Sequence, residues 1–254
     1  MTTPRRAATA LTAVLLLILT VAAPAQAAGL FAAGPYYCSQ NTVAQALYGC
    51  GDNLYPTNVS ALEAYTRTWA AYGWVDPVGD LSGDPVYVLH GANDTTVKKS
   101  VTDDLVRYYQ RFGASVRYDS GSAAGHGWVT PYGTLGCTAT ASPFLDDCGS
   151  DPQNALLRTL LGGVNAPNTA ALGGTLVRFD QNAFAVNGRA NGLSMDANGF
   201  AYVPSACAAG QSCRLLVALH GCWDWWGYLG ATNFPIKGGA QVETIMNMVR
   251  RLDG

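Results

Sequence analysis

The feature that most constrains this chain is a strand-helix-strand signature between residues 86 and 118. Val86 to Leu89 is a short apolar run with turn signals on both sides, as expected of a strand buried on both faces of a parallel sheet. Beyond it, Val101, Leu105, Tyr108 and Phe112 share one face of a helix, Ser100 to Asp103 suits a capping box, and Gly113 stands where the helix should stop. Val116 to Tyr118 then resumes an extended run. Parallel strands need a crossover of helical length, so this spacing predicts a βαβ unit and an α/β fold class.

The rest of the chain is consistent with that class. Leu30 to Tyr37 reads as a strand entering a cystine loop, and Ala61 to Tyr72 and Asp151 to Leu161 have helical spacing. Gly162 to Gly174 is a long loop. Thr175 to Phe179 and Phe200 to Val203 read as antiparallel strands, and Arg214 to Leu219 as a central strand ending in His220-Gly221-Cys222. Gln241 to Leu252 has the apolar spacing of a closing helix.

The turns after the two parallel strands carry the chemistry. His90-Gly91-Ala92-Asn93-Asp94 follows the first, and Gly125-His126-Gly127-Trp128 follows the second. In α/β-hydrolases the acid sits in a turn after one parallel strand and the histidine in a loop after the next, where the imidazole can reach a nucleophilic serine. Asp94 and His126 are therefore the candidate acid and base. The plainer alternatives are a turn aspartate that caps its own backbone and a solvated loop histidine. No Gly-x-Ser-x-Gly occurs in the chain, and Ser39, Ser122 and Ser194 all lack the glycine-flanked turn that lifts a hydroxyl above a sheet.

Composition narrows the setting. With 49% hydrophobic and 13% charged residues over 254 positions, the chain has ample material for one core. Fifteen basic against 17 acidic side chains, with no large basic cluster, argue against nucleic acid as a partner. Arg5 and Arg6, an apolar stretch from Ala10 to Ala23 and Ala25-Gln26-Ala27 form a secretory signal, residues 1–27. Residues 28–254 are then a single extracellular domain, with no membrane association after cleavage because nothing else approaches the ~20 apolar residues of a spanning helix.

Seven cysteines in an oxidising compartment should mostly form disulfides. Their spacing suggests Cys38 with Cys50, Cys137 with Cys148 and Cys207 with Cys213, leaving Cys222 over. Without a Cys-x-x-Cys, and with His90, His126 and His220 scattered, neither a metal site nor a cofactor is expected. Asn58-Val59-Ser60 and Asn93-Asp94-Thr95 match the glycosylation pattern.

Several strings together carry a resemblance: Gly34-Pro35-Tyr36-Tyr37-Cys38, His126 with Val129-Thr130, Cys137, Asp147-Cys148, Ala201-Tyr202-Val203-Pro204, Leu219-His220-Gly221-Cys222, and Cys222-Trp223-Asp224-Trp225-Trp226-Gly227-Tyr228. They resemble the secreted poly(3-hydroxybutyrate) depolymerases whose catalytic domain is circularly permuted. The resemblance implies a circularly permuted α/β-hydrolase-like sheet with helices on both faces, and a serine esterase acting on short-chain polyhydroxyalkanoates. It also implies Asp94 as triad acid, His126 as base and the backbone amide of Cys222 as an oxyanion donor. Trp223, Trp225, Trp226 and Tyr228 are read either as an apolar wall for a polyester segment or as packing around a cystine.

Two departures stand beside the resemblance. The family's Gly-x-Ser-Ser-Gly-Gly elbow should precede the strand that runs into Gly34-Pro35-Tyr36-Tyr37-Cys38, yet the expected signal joins that strand directly. Segments that the family keeps apart are fused here at Gly221-Cys222, which accounts for the odd cysteine. The sheet is accordingly expected to be incomplete. The alternative function is a non-catalytic secreted protein that binds hydrophobic polyester through its Trp/Tyr-rich segment.

Overall fold

The computed structural model describes residues 27–167, 172–193 and 195–219. The expected signal, Ser194, the segment from His220 to Tyr228 with Cys222 and its aromatic neighbours, and the closing helix lie outside the described residues.

Strand β1 (Ala28–Phe31) leads into a loop closed by the Cys38–Cys50 disulfide, and α1 (Val59–Ala71) follows. The βαβ unit is β2 (Pro85–Gly91), α2 (Lys99–Arg111) and β3 (Ser115–Ser122). These strands form a parallel sheet in the order β1-β2-β3, with Ala28 opposite Val86 and Val86 opposite Val116. A second small sheet joins β4 (Trp128–Val129), β5 (Leu135–Gly136) and β6 (Leu145–Asp147), with β6 in the middle. Helix α3 (Pro152–Leu161) comes next, and then the antiparallel pair β7 (Thr175–Asp180) and β8 (Asn198–Val203).

Period-two alternation in β2 explains the layering. Val86 and Val88 pack with Leu105 of α2, whereas Tyr87 and Leu89 pack with Leu156 and Leu157 of α3. Helices therefore cover both faces of the sheet, as α/β class requires. Fully buried side chains such as Leu105 and Leu157 each contribute about 1.5–3 kcal/mol by leaving water. Helix α1 docks on α2 through Leu62, Tyr108 and Phe112, with Thr66 Oγ1 and Tyr108 Oη 2.7 Å apart.

Local chemistry sets the helix ends. Asn58 Oδ1 accepts from the Ala61 amide at the start of α1, so that helix begins before the expected Ala61. Asp151 Oδ1 does the same for Asn154 at α3, where Pro152 occupies the first turn. The capping box expected at Ser100 is corrected: α2 starts at Lys99, Ser100 lies inside its first turn and accepts from Asn53 Nδ2, and Asp103 pairs with Lys99 and Tyr118.

Two strand expectations are also corrected. The run from Leu30 stops at Phe31 because Ala32 and Tyr37 adopt positive φ, which breaks an extended chain. Arg214 to Leu219 is irregular, with Leu215 and Leu219 exposed, and only Leu216 reaches the α3-side core. An apolar run becomes a strand only against a ladder partner, and among the described residues this segment has none. The three expected disulfides are all formed.

Candidate active site

The candidate site forms where β2 and β3 end. The β2-β3 ladder shifts register between Leu89 and Gly91, which frees the chain to turn at Ala92 to Asp94. That turn is sewn to the end of β3: the Ala92 amide donates to Ser122 O at 2.8 Å, the Asn93 amide to Ala124 O at 2.9 Å, and Asn93 Nδ2 to Ala123 O at 2.7 Å. Gly91 permits this approach, since a Cβ there would run into the Ala124 carbonyl.

Asp94 is held from both sides. Its Oδ1 accepts from the Thr96 and Val97 amides, each at 2.9 Å, and its Oδ2 lies 2.9 Å from His126 Nδ1. The carboxylate is fully buried while the His126 side chain is 25% exposed. An ionised carboxylate only accepts, so Nδ1 carries the proton and the lone pair is left on Nε2, the tautomer a general base requires. The His126 backbone is pinned in turn: its amide donates to Thr140 Oγ1 at 3.0 Å, and Gly125 donates to Cys137 O at 2.8 Å beside the Cys137–Cys148 disulfide. Phe144 meets the imidazole edge-on at 6.3 Å.

A residue that the sequence reading missed sits underneath. Asp146 of β6 is fully buried, and among the described residues neither carboxyl oxygen has a hydrogen-bond partner. Burial pushes its carboxyl up to about 6, an effect His126 opposes and Asp94 reinforces. The sequence marked its neighbour, Asp147, which is exposed and caps Gly149. Two adjacent aspartates on a short strand cannot be told apart by composition; only the pleat decides which one turns inward. His90 is also buried, 3.4 Å from Thr102 Oγ1, and burial pushes its imidazole down.

No described serine hydroxyl bonds His126 Nε2. Ser122 Oγ accepts from the Ala124 amide and lines a groove with Leu89, Cys137, Asp151 and Ala155. Ser39 lies in the Cys38–Cys50 loop, where its carbonyl accepts from Thr42. Among the described residues no cluster of His, Cys, Asp and Glu could hold a metal ion.

With this geometry in hand, likeness to known proteins becomes informative. No protein-family model matches the chain. A poly(3-hydroxybutyrate) depolymerase of Delftia acidovorans is 34% identical, the match covering 90% of this chain and 54% of that protein. A polyhydroxybutyrate depolymerase of Talaromyces funiculosus is 33% identical over 87% of this chain and 64% of its own length. Over most of its length this chain is similar to poly(3-hydroxybutyrate) depolymerases. Solved structures of such depolymerases agree. One, a serine-to-alanine variant complexed with an R3HB trimer, superposes with a TM-score of 0.73 at 29% identity, covering 89% of this chain and 67% of that one. The enzyme from Penicillium funiculosum also gives 0.73, at 28% identity and with 89% and 68% covered.

The chain spans about half the length of the first curated relative and 64% of the second. Its match to the Delftia protein runs over 275 positions, more than the 254 residues of the whole chain. That relative therefore carries residues within the matched region that have no counterpart here, as the two departures in the sequence imply.

Proposed function

We propose that this protein is a secreted ester hydrolase of the depolymerase type, directed at short-chain polyhydroxyalkanoates, in which Asp94 and His126 are the acid and base. The observation that carries this reading is the 2.9 Å contact between His126 Nδ1 and the buried Asp94 carboxylate, which leaves the Nε2 lone pair for a proton. In turnover His126 takes the proton of the attacking hydroxyl and Asp94 stabilises the imidazolium; the same proton is then delivered to the departing alkoxide. Deacylation by water repeats the cycle and releases the 3-hydroxyacid. On this reading the Cys222 amide is assigned the role of oxyanion donor, and Trp223, Trp225, Trp226 and Tyr228 that of contacting the polyester, as the resemblance and their aromatic chemistry imply.

Residues 1–27 act as the signal and residues 28–254 form one circularly permuted domain. Supporting this, β1 begins at Ala28, next to the expected cleavage point, and three disulfides suit an extracellular protein. Lacking a recognisable elbow, the chain hydrolyses esters slowly, within the ~10³–10⁴-fold acceleration over water that remains when a triad member is missing. The test is p-nitrophenyl butyrate hydrolysis together with fluorophosphonate labelling and peptide mass spectrometry. A slow rate abolished by Asp94→Ala and His126→Ala supports the reading, and a rate indifferent to both overturns it.

A second reading is favoured by one observation, that no described serine bonds His126 Nε2. On that reading the protein binds polyester without cleaving it, and it would be retained on polyhydroxybutyrate granules with no release of product.

A further inference from the structure

Three pieces of chain converge beneath His126: its own turn, the Asp94 turn after β2, and β6, which brings in Asp146. The Asp146 carboxyl is sealed from solvent, and among the described residues neither of its oxygens has a hydrogen-bond partner. Among the described residues, no lysine or arginine is within ion-pair distance of it. Interiors rarely keep a carboxyl in that state, because an ionised group deprived of water must be compensated by partners. Nor is its position incidental. A Cβ on Gly127 would stand 2.6 Å from Asp146 Oδ2 and 3.0 Å from the Phe144 carbonyl, so this carboxyl occupies the space beside the residue that follows His126.

The titratable groups acting on Asp146 from the packed elements are His126, from the turn before β4, and Asp94, from the turn after β2. Asp147, next on its own strand, is exposed and engaged with the Gly149 amide. Burial is the first influence on Asp146, and the charged groups that add to it are those of the Asp94-His126 pair.

We propose that Asp146 is a positioning residue of the Asp94-His126 pair, whose buried carboxyl acts through its field on His126 and sets how readily the imidazole takes a proton. This rests on the reading of His126 as the base. While Asp146 is protonated, His126 faces the single charge of Asp94. Once Asp146 ionises, a second buried negative charge favours the imidazolium. Burial raises that ionisation to about 6.

The experiment follows the His126 ring Hε1 and Cε1 resonances of the full chain against pH, in the native protein and in Asp146→Asn, which preserves shape and removes ionisation. The native protein should titrate in two coupled steps. The variant should show one step, displaced to lower pH by about 1 unit, the size of effect a nearby buried charge produces. Superimposable curves would overturn the proposal. Should Asp146→Asn fail to fold, the Asp146 Cγ resonance of the native protein decides: an inflection near 6 supports the proposal, and one at the ordinary carboxylate value of ~3.9 overturns it. Neither readout needs substrate, so an absence of esterase activity would defeat the hydrolase reading while leaving this measurement intact.

Discussion

His126 Nδ1 and Asp94 Oδ2 meet at 2.9 Å because their backbones are joined before their side chains are. The Ala92 and Asn93 amides donate to Ser122 and Ala124, so the acid's turn and the chain leading to the histidine move as one body. Preorganisation of this kind keeps the imidazole in a single tautomer and orientation without ordering it at each turnover.

Asp94→Asn and Asp94→Ala should separate chemistry from scaffolding. The asparagine retains an oxygen for the Thr96 and Val97 amides yet presents no anion to His126, so p-nitrophenyl butyrate hydrolysis falls by ~10²–10⁴-fold with stability nearly unchanged. The alanine strands both amides and additionally lowers unfolding free energy by about 1–3 kcal/mol, measurable by urea denaturation.

Stability against pH should register Asp146. Its carboxyl ionises near 6 when folded and at ~3.9 when unfolded, so in that window the native state holds a proton that the unfolded state has released. Native stability therefore declines as pH rises from about 4 to about 6 and stays reduced above. Asp146→Asn removes the effect, and at pH 7 it should be more stable than the native protein by ~1–3 kcal/mol, an advantage that vanishes near pH 4. His90 works in the opposite direction, since burial disfavours its charged form and stability falls on acidification below ~6.5. It is common to both proteins, so their difference in urea unfolding isolates Asp146.

Gly91→Ala should be costly at both levels. The new methyl meets the Ala124 carbonyl, which cannot swing aside because it accepts the Asn93 amide. A loss of about 1–3 kcal/mol, the usual cost of overpacking, should accompany a weaker Asp94-His126 contact. Thermal unfolding reports the first, and a changed His126 titration curve the second.

Replacing Cys137 and Cys148 together by serine opens a loop with a sequence separation of 11. Loop entropy alone predicts a loss of ~3 kcal/mol. Because Gly125 donates to Cys137 O and His126 to Thr140, hydrogen exchange at those two amides should accelerate more than at β2.

Legibility followed the range of the interactions. The βαβ unit could be read because its signals are local: alternation in Val86 to Leu89, helical spacing from Val101 to Phe112, glycine at 113. Asp94 and His126 could be marked as candidates because both stand in turns that end such strands, and the structure brings their side chains together. Arg214 to Leu219 differs for the converse reason, since its apolar pattern is real but among the described residues no neighbouring strand pairs with it. Ser100 was misread because its hydroxyl serves Asn53, distant in sequence, instead of its own helix end.

The sequence by itself determined the class of fold and the pairing of six cysteines, both of which depend on periodicity and short spacing, and it marked Asp94 and His126 as candidates. Only the tertiary structure decided that Asp146 and not Asp147 turns inward beneath His126. Only it set the Asp94 carboxylate against Nδ1 and left Nε2 without a described serine. Burial and charge compensation are properties of the assembled interior: a carboxyl's environment is made by β2, β3 and β6 meeting, and no window along the chain contains all three.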